Sequence, residues 1–524
     1  MRIFDSANRT GPVLLAGANI LYTFPLSYGY LSGYLKSRGE AVEVMPRVGS
    51  PREIAARIMA KKPLLAGFGN LYPELREIRE VIAALDELGR DFPVVIGGQM
   101  VSPTPEFALE ITNADIGIIG EGEIILYQVV TALRRGRDPR EVAGLVTWND
   151  AGATMLTGKG EIIQDLGELP PLDYECYDPA NWVPVGHWYS AFVPRSHWRA
   201  ADRVIPVHGG RGCPFQCNFC YHHSPFRLRP MEAMMREAAM ALERYDGNML
   251  DFSDDLVLCS PARAAKLVEG VRGLPRPISY YLSARFDILA RIGDDQLRDL
   301  AATGCRIVGP GFESGSNRIL DVIGKKFHAE TMLTQLERLR RFNIRSIGNF
   351  MVGQHTESRQ DVELTWAFIE EALKIDPTIE FTFSIMTPFP GSPLYSKVMH
   401  DGILSGDRMF YDRYFSESKG EFDWRLICNL SAMSDEEVLD SYRWLNRRFE
   451  EEKRRIYGRT RLFPAQIRKR IGQLESRGNR YFLRHLPWTQ PQRILRAGCN
   501  RAFQVLERVE WRLAERHRQG GTRQ

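Results

Sequence analysis

Apolar and polar positions alternate along this chain in blocks of two kinds. Through the first 145 residues, tight apolar runs at 13–16, 41–44, 64–68, 94–96 and 116–119 are separated by stretches with helical spacing, at 28–37 and 74–88 among others. The last two runs close on Gly97-Gly98 and on Gly120-Glu121-Gly122-Glu123. Strands alternating with helices, with glycine at the strand ends, predict an α/β domain: a doubly wound, Rossmann-like parallel sheet that takes a ligand at its strand C-termini.

The rhythm is lost over residues 146–203, where Leu169-Pro170-Pro171-Leu172-Asp173 cannot continue a helix. That stretch is expected to be a linker. A second βα series follows, with apolar runs at 204–207, 249–252, 279–283, 306–309, 345–352 and 380–385 and helical spacing at 261–272, 294–303, 329–342 and 361–373. Six strands with intervening helices predict a partial or full parallel (β/α) barrel over 204–400. A helical, basic C-terminal region is expected over 401–524.

Composition fits this division. The chain has 524 residues, more than one hydrophobic core usually organises, and its 44% hydrophobic and 26% charged residues are those of folded domains. The first residues carry no basic segment followed by an apolar run, and no stretch reaches about 18 uncharged apolar residues, so a cytoplasmic protein without a membrane span is expected. The formal net charge of +4 hides an asymmetry. Residues 451–524 hold 19 Lys and Arg against 6 Glu, a net +13 that leaves −9 for the rest.

Three of the eight cysteines, Cys213, Cys217 and Cys220, fall within eight consecutive positions directly after the first strand of the second series. Random placement would give such a triple about 0.002 times per chain, and in a reducing compartment the cluster points to metal. Three thiolates on one loop at a barrel's C-terminal face can hold three irons of a cubane, leaving the fourth iron open to a substrate group. A structural zinc completed by His222 or His223 is the plain alternative. Zinc sites, however, usually separate two ligand pairs widely, and His222 stands two residues after Cys220.

The C-x3-C-x2-C loop, with Phe219 as the aromatic before its last cysteine, resembles the signature of the radical S-adenosylmethionine (SAM) superfamily, and in particular its cobalamin-binding branch. Later segments extend the likeness: Asp251-Phe252-Ser253-Asp254-Asp255, Tyr281-Leu282-Ser283-Ala284-Arg285, Gly311-Phe312-Glu313-Ser314-Gly315-Ser316 and Thr387-Pro388-Phe389-Pro390-Gly391-Ser392-Pro393-Leu394-Tyr395. The resemblance implies a [4Fe–4S] cluster on Cys213, Cys217 and Cys220. It also implies SAM contacts by Phe219, Asp254, Arg285, Glu313 and Ser314: arginine for the carboxylate, acidic groups for the ammonium and the ribose diol. Singly, each has a plainer reading, such as a solvated acidic turn at Asp254-Asp255 or a surface ion pair at Arg285. Where relatives carry G-L-P-G-E-T, this chain reads Gly353-Gln354-His355-Thr356-Glu357.

The first 145 residues resemble the branch's cobalamin module, which implies cobalamin contacts by Tyr28, Gly97, Gly98, Glu121, Gly122 and Glu123. They contain no histidine, so no histidine of that domain ligates cobalt from below. The function implied is C-methylation of an unactivated carbon through a 5′-deoxyadenosyl radical, on a lipid or natural-product-type small molecule, with an external one-electron reductant. Oxidative cyclisation or ring rearrangement without methyl transfer uses the same parts, and a non-catalytic, metal-stabilised binding protein is the alternative of another class. The basic tail interleaves arginine with Tyr457, Phe463, Tyr481, Phe482, Trp488, Phe503 and Trp511. It can pack on the barrel or lie on an anionic membrane surface, with nucleic acid the weaker reading.

Overall fold

Apolar stripes along helices and continuous apolar strands account for the first layer of structure. The computed structural model describes residues 10–17, 24–183, 203–415 and 426–456. In β1 (Val13–Gly17) all five residues are buried, as a strand covered by helices on both faces requires. Helix Leu75–Glu87 buries Leu75, Ile78, Val81, Ile82 and Leu85, one face of a 3.6-residue period. Helix Pro51–Ala60 starts where Ser50 and Glu53 cap each other reciprocally, with proline in its first turn.

The first sheet runs in the order β2-β1-β3-β4-β5-β6-β7, with β2 (Val42–Pro46), β3 (Leu65–Asn70), β4 (Val94–Gly98), β5 (Ile116–Ile118), β6 (Leu145–Trp148) and β7 (Thr154–Leu156). Strands β1 to β5 are parallel, and β6 and β7 add antiparallel at the β5 edge. The sheet therefore continues past residue 145, into the stretch expected as linker. The cause is local: the Asn149 side chain accepts from the amides of Ala151 and Ala153 at 2.9 and 3.0 Å, closing a tight hairpin. Strand order reverses between β1 and β3, the switch point where open α/β sheets bind ligands.

The proline-broken segment that follows is fitted to helix Leu26–Lys36. A Cβ on Gly29 would come 2.7 Å from Leu172, and one on Gly33 would come 2.8 Å from the Pro171 carbonyl, so the linker rests on bare backbone. Asp173 accepts from Ser32 at 2.6 Å and from Lys36 at 2.7 Å.

The second domain places β8 (Val204–Val207), β11 (Met249–Phe252), β12 (Ser279–Ala284), β13 (Cys305–Pro310), β14 (Arg345–Val352) and β15 (Glu380–Ile385) side by side in chain order, all parallel. Strands β8 and β15 form its two edges, so of the two expected forms the sheet is the partial barrel. A short hairpin of β9 (Gly210–Arg211) and β10 (Arg227–Leu228) rises from the end of β8. Val204, Met249, Tyr281, Ile307 and Ile347 pack together on one face, while Leu250, Phe252, Leu282, Phe350 and Phe383 join the core on the other.

Past β15, helix Asp407–Phe415 returns to the first domain, where Phe410 and Tyr411 pack on Tyr72 and Phe107. Residues 435–456 form a helix whose Phe449 lies against Phe381 and Phe383 and whose Lys453 pairs with Glu380 at 2.6 Å. The rest of the basic tail, 457–524, lies outside the described residues. No helix among the described residues is long and apolar enough to cross a membrane.

Candidate active site

The three cysteines stand on a loop tied down along its length. Asn218 donates from its amide to the Ile323 carbonyl (3.2 Å) and from Nδ2 to the Val322 carbonyl (2.9 Å), and its own carbonyl accepts from Leu394 at 2.8 Å. Arg285, just past β12, is the central brace. Its guanidinium lies 3.7 Å from the centre of the Phe215 ring, donates to the Cys217 sulfur at 3.4 Å and to the Lys325 carbonyl at 2.6 Å, and pairs with Asp287 at 3.0 Å. An arginine's planar fork suits such divided bonding, which a lysine could not reproduce.

All three thiols are free of disulfides, with Cys217 buried and the other two partly open. Burial, reinforced by the Asp255 carboxylate, pushes the Cys220 thiol up to about 12, and burial raises Cys213 as well. Iron replaces the thiol proton on binding, so the metal overcomes that cost. Among the described residues no three His, Cys, Asp or Glu groups are gathered as a single ion needs. Three free thiols spread along one anchored loop are a donor set that fits the corners of an iron–sulfur cubane.

Of the acidic pair after β11, Asp254 is the buried one. Its Oδ1 accepts from the amides of Gly209 and Gly210 at 2.6 and 3.1 Å, while its Oδ2 has no partner and burial raises its carboxyl to about 7. Asp255 is exposed and acts on the cysteine thiols. The pair stands in a bend just past β11, which turns one carboxylate inward and leaves the other open. Glu313, in a left-handed backbone conformation (φ +66°), pairs with Lys325 Nζ at 3.0 Å. Lys325, which the sequence reading did not single out, is buried with its Nζ 5.7 Å from the centre of the Phe219 ring. Ser314 is buried, its hydroxyl within bonding distance of Thr365 and accepting from the Ser316 amide.

In the first domain the nominated residues fall into two groups. Gly97 and Gly98 end β4, and Gly120 follows β5 at φ +85° with open space where a side chain would stand. Glycines at the C-terminal ends of parallel strands let a bulky, amide-rimmed cofactor approach the backbone. Tyr28 is committed within the fold: its hydroxyl donates to the Gly69 carbonyl at 2.6 Å, lies 3.1 Å from the Ala16 carbonyl and accepts from the Gly69 amide, joining the ends of β1 and β3. Glu121 and Glu123 are committed as well, to Arg211 at 2.7 and 2.5 Å, and Glu121 also to Arg227 and Ser224. Gly122 lies against Leu31. Gly97, Gly98 and Gly120 are the nominated positions whose backbone is left without a side chain at these strand ends.

Comparison with known proteins matches residues 207–369 to the radical SAM superfamily and residues 17–130 to the B12 binding domain. The chain belongs to the cobalamin-binding branch of the radical SAM superfamily. It is 25% identical over 389 residues to an uncharacterized methyltransferase of Pyrococcus horikoshii, covering 72% of this chain and 79% of that one. It is 23% identical over 395 residues to the anaerobic magnesium-protoporphyrin IX monomethyl ester cyclase of Rubrivivax gelatinosus, covering 73% and 68%. Its fold is similar to that of TsrM, a radical SAM methyltransferase of Kitasatospora setae solved with cobalamin and a [4Fe–4S] cluster, at a TM-score of 0.58 and 19% identity over 74% of this chain and 75% of that one.

In the radical SAM domain the atypical segment after β14 is a buried brace. Glu357 accepts from the amides of Gly353 and Gln354 at 2.6 and 3.2 Å, and burial pushes its carboxyl up to about 8. His355 is partly exposed beside it. A carboxyl raised on folding stabilises fully below its unfolded pKa and loses that contribution as pH rises through its folded value. Glu357→Gln keeps the accepting oxygen and drops the charge. Its Tm relative to wild type is expected to improve by roughly 3–8 °C between pH about 4.5 and 8, read by thermal unfolding at both ends. A pH-independent difference would contradict the assignment.

Proposed function

We propose that the protein is a cobalamin-dependent C-methyltransferase acting on an unactivated carbon of a lipid or natural-product-type molecule, fed by an external one-electron reductant. When bound, the cluster, SAM and cobalamin together supply one-electron bond cleavage and a transferable methyl group. The chain holds and orders these groups. Cys213, Cys217 and Cys220 present the thiolates, and Arg285 fixes their loop through Phe215 and Cys217. Asp255 offers an open carboxylate beside the thiols for an ammonium, and the glycine strand ends at Gly97, Gly98 and Gly120 would let a corrin approach backbone amides.

One observation carries the reading: the cysteine loop touches the glycine loops of the first sheet directly, through Arg211 on Glu121 and Glu123. Two cofactor sites that meet at one interface suit a reaction in which a group passes between them. The methyltransferase named among the relatives supports the same chemistry. Ring-forming oxidation is the second reading, supported by the likeness to the cyclase.

Anaerobic reconstitution with iron, sulfide and hydroxocobalamin is expected to give about four irons and one cobalt per chain. The reduced enzyme should then form S-adenosylhomocysteine beside 5′-deoxyadenosine. Deoxyadenosine without S-adenosylhomocysteine would favour cyclisation, and no cleavage of SAM at all would leave a binding protein.

A further inference from the structure

The charged side chains at the domain joint are more than interface polarity. Arg211 lies two residues before Cys213, and its side chain is only 11% exposed; Glu121 and Glu123 are 8% and 7% exposed. One guanidinium nitrogen reaches Glu121 Oε2 at 2.7 Å and Glu123 Oε2 at 3.3 Å, and the other reaches Glu123 Oε1 at 2.5 Å. Arg227, its register partner in the β9–β10 hairpin, bonds Glu121 from the other side together with Ser224. Two arginines and two glutamates leave the group neutral. Glu121 directly follows Gly120, whose backbone is left-handed and has open space where a side chain would stand.

The other end of the cysteine loop is held by packing: Tyr221, next after Cys220, lies with Pro103, the neighbour of Ser102, against Gly391. Ser102 Oγ accepts from the Gly120 amide at 2.9 Å and donates to the Gly98 carbonyl at 3.3 Å. The loops after β4 and β5, joined to each other through Ser102, thus meet the two ends of the segment that bears the thiols. Buried ion pairs are poor sources of stability, but they resist any slip that would separate the charges.

We propose that Arg211, Glu121, Glu123 and Tyr221 are positioning residues that fix the iron–sulfur cluster at one distance and orientation from the corrin. The proposal rests on the methyltransferase reading only in requiring that both cofactors bind. A site held by a loose surrounding shell loses geometry before it loses its ligands. Glu123→Gln, which removes one charge at constant shape, and Tyr221→Ala, which removes the packed ring, are therefore the informative variants.

The test is electron paramagnetic resonance of the full-length chain loaded with cluster and cob(II)alamin, comparing cobalt relaxation with the cluster oxidised and reduced. In molecules holding both cofactors, each variant is expected to weaken the cluster-induced relaxation by about twofold or more, or to spread it into a distribution. Coupling identical to wild type in both variants would overturn the proposal. If the chain takes up no corrin, the methyltransferase reading fails while the clamp stays testable by hydrogen exchange. In Glu123→Gln, amides at 98–102 and 120–123 and those at 211–221 should then lose protection together. Loss confined to one side would overturn the clamp.

Discussion

Cys217→Ala is expected to empty the iron site and leave the cobalamin site intact. Cys217 is the buried member of the triad, 7% exposed, and its sulfur accepts from Arg285 at 3.4 Å. Its loss removes one of three corners that hold the cluster, and two thiolates on a single loop do not retain a cubane. Iron after anaerobic reconstitution should fall from about four per chain to below about one, with SAM cleavage reduced by about 10³-fold or more. Cobalt should remain near one per chain, because Gly97, Gly98 and Gly120 belong to the other sheet. Iron and cobalt quantification on the same sample checks both halves. Retention of iron and of SAM cleavage would remove the central assignment, and joint loss of iron and cobalt would mean that the two sites do not fold independently of their cofactors.

The sequence made the two α/β sheets legible because each strand is a short apolar run and each helix has a clear apolar face. It made the cysteine loop legible because three thiols at that spacing have few other uses. The β6–β7 hairpin was missed because Leu145 to Trp148 alternates weakly and its partner strand is only three residues long. The roles of charged residues were harder to read. Glu121 and Glu123 sit in a glycine-rich segment that invites a ligand reading, yet their partner Arg211 lies some 90 positions away in the chain. Lys325 pairs with Glu313 across 12 residues and a change of element. Local sequence holds no signal for such pairs, since nothing in a helix or strand period announces which opposite charge folding will bring near. For a related reason the resemblance names Asp254 for the SAM contact, whereas the structure buries Asp254 and leaves Asp255 exposed. Identical neighbours can be told apart only once the strand end is known to turn one of them inward.

Gly212→Ala tests whether the hairpin in front of the cysteines determines how they are held. Gly212 has φ +69°, and a Cβ there would stand 2.3 Å from the Ser224 carbonyl oxygen and 2.9 Å from the carbonyl of Pro225. All of these are backbone atoms, so no side-chain rotation relieves the clash. The left-handed conformation costs about 1–2 kcal/mol for alanine, and overpacking adds about 1–3 kcal/mol. The β9–β10 hairpin must open to accommodate the methyl group. Because Ser224 and Arg211 both bond Glu121, opening it pulls on the contact with the first domain as well as on Cys213. The expected result is a Tm lower by roughly 5–15 °C and a parallel loss of iron uptake. Gly152→Ala supplies the control: its φ is +78°, but nothing lies within 4 Å of the added carbon. Only the conformational cost applies there, about 1–2 kcal/mol, with iron uptake unchanged. Equal Tm losses in the two variants would show that crowding at Gly212 is relieved without moving the hairpin. A larger loss at Gly212 together with depleted iron would tie the hairpin's shape to cluster binding.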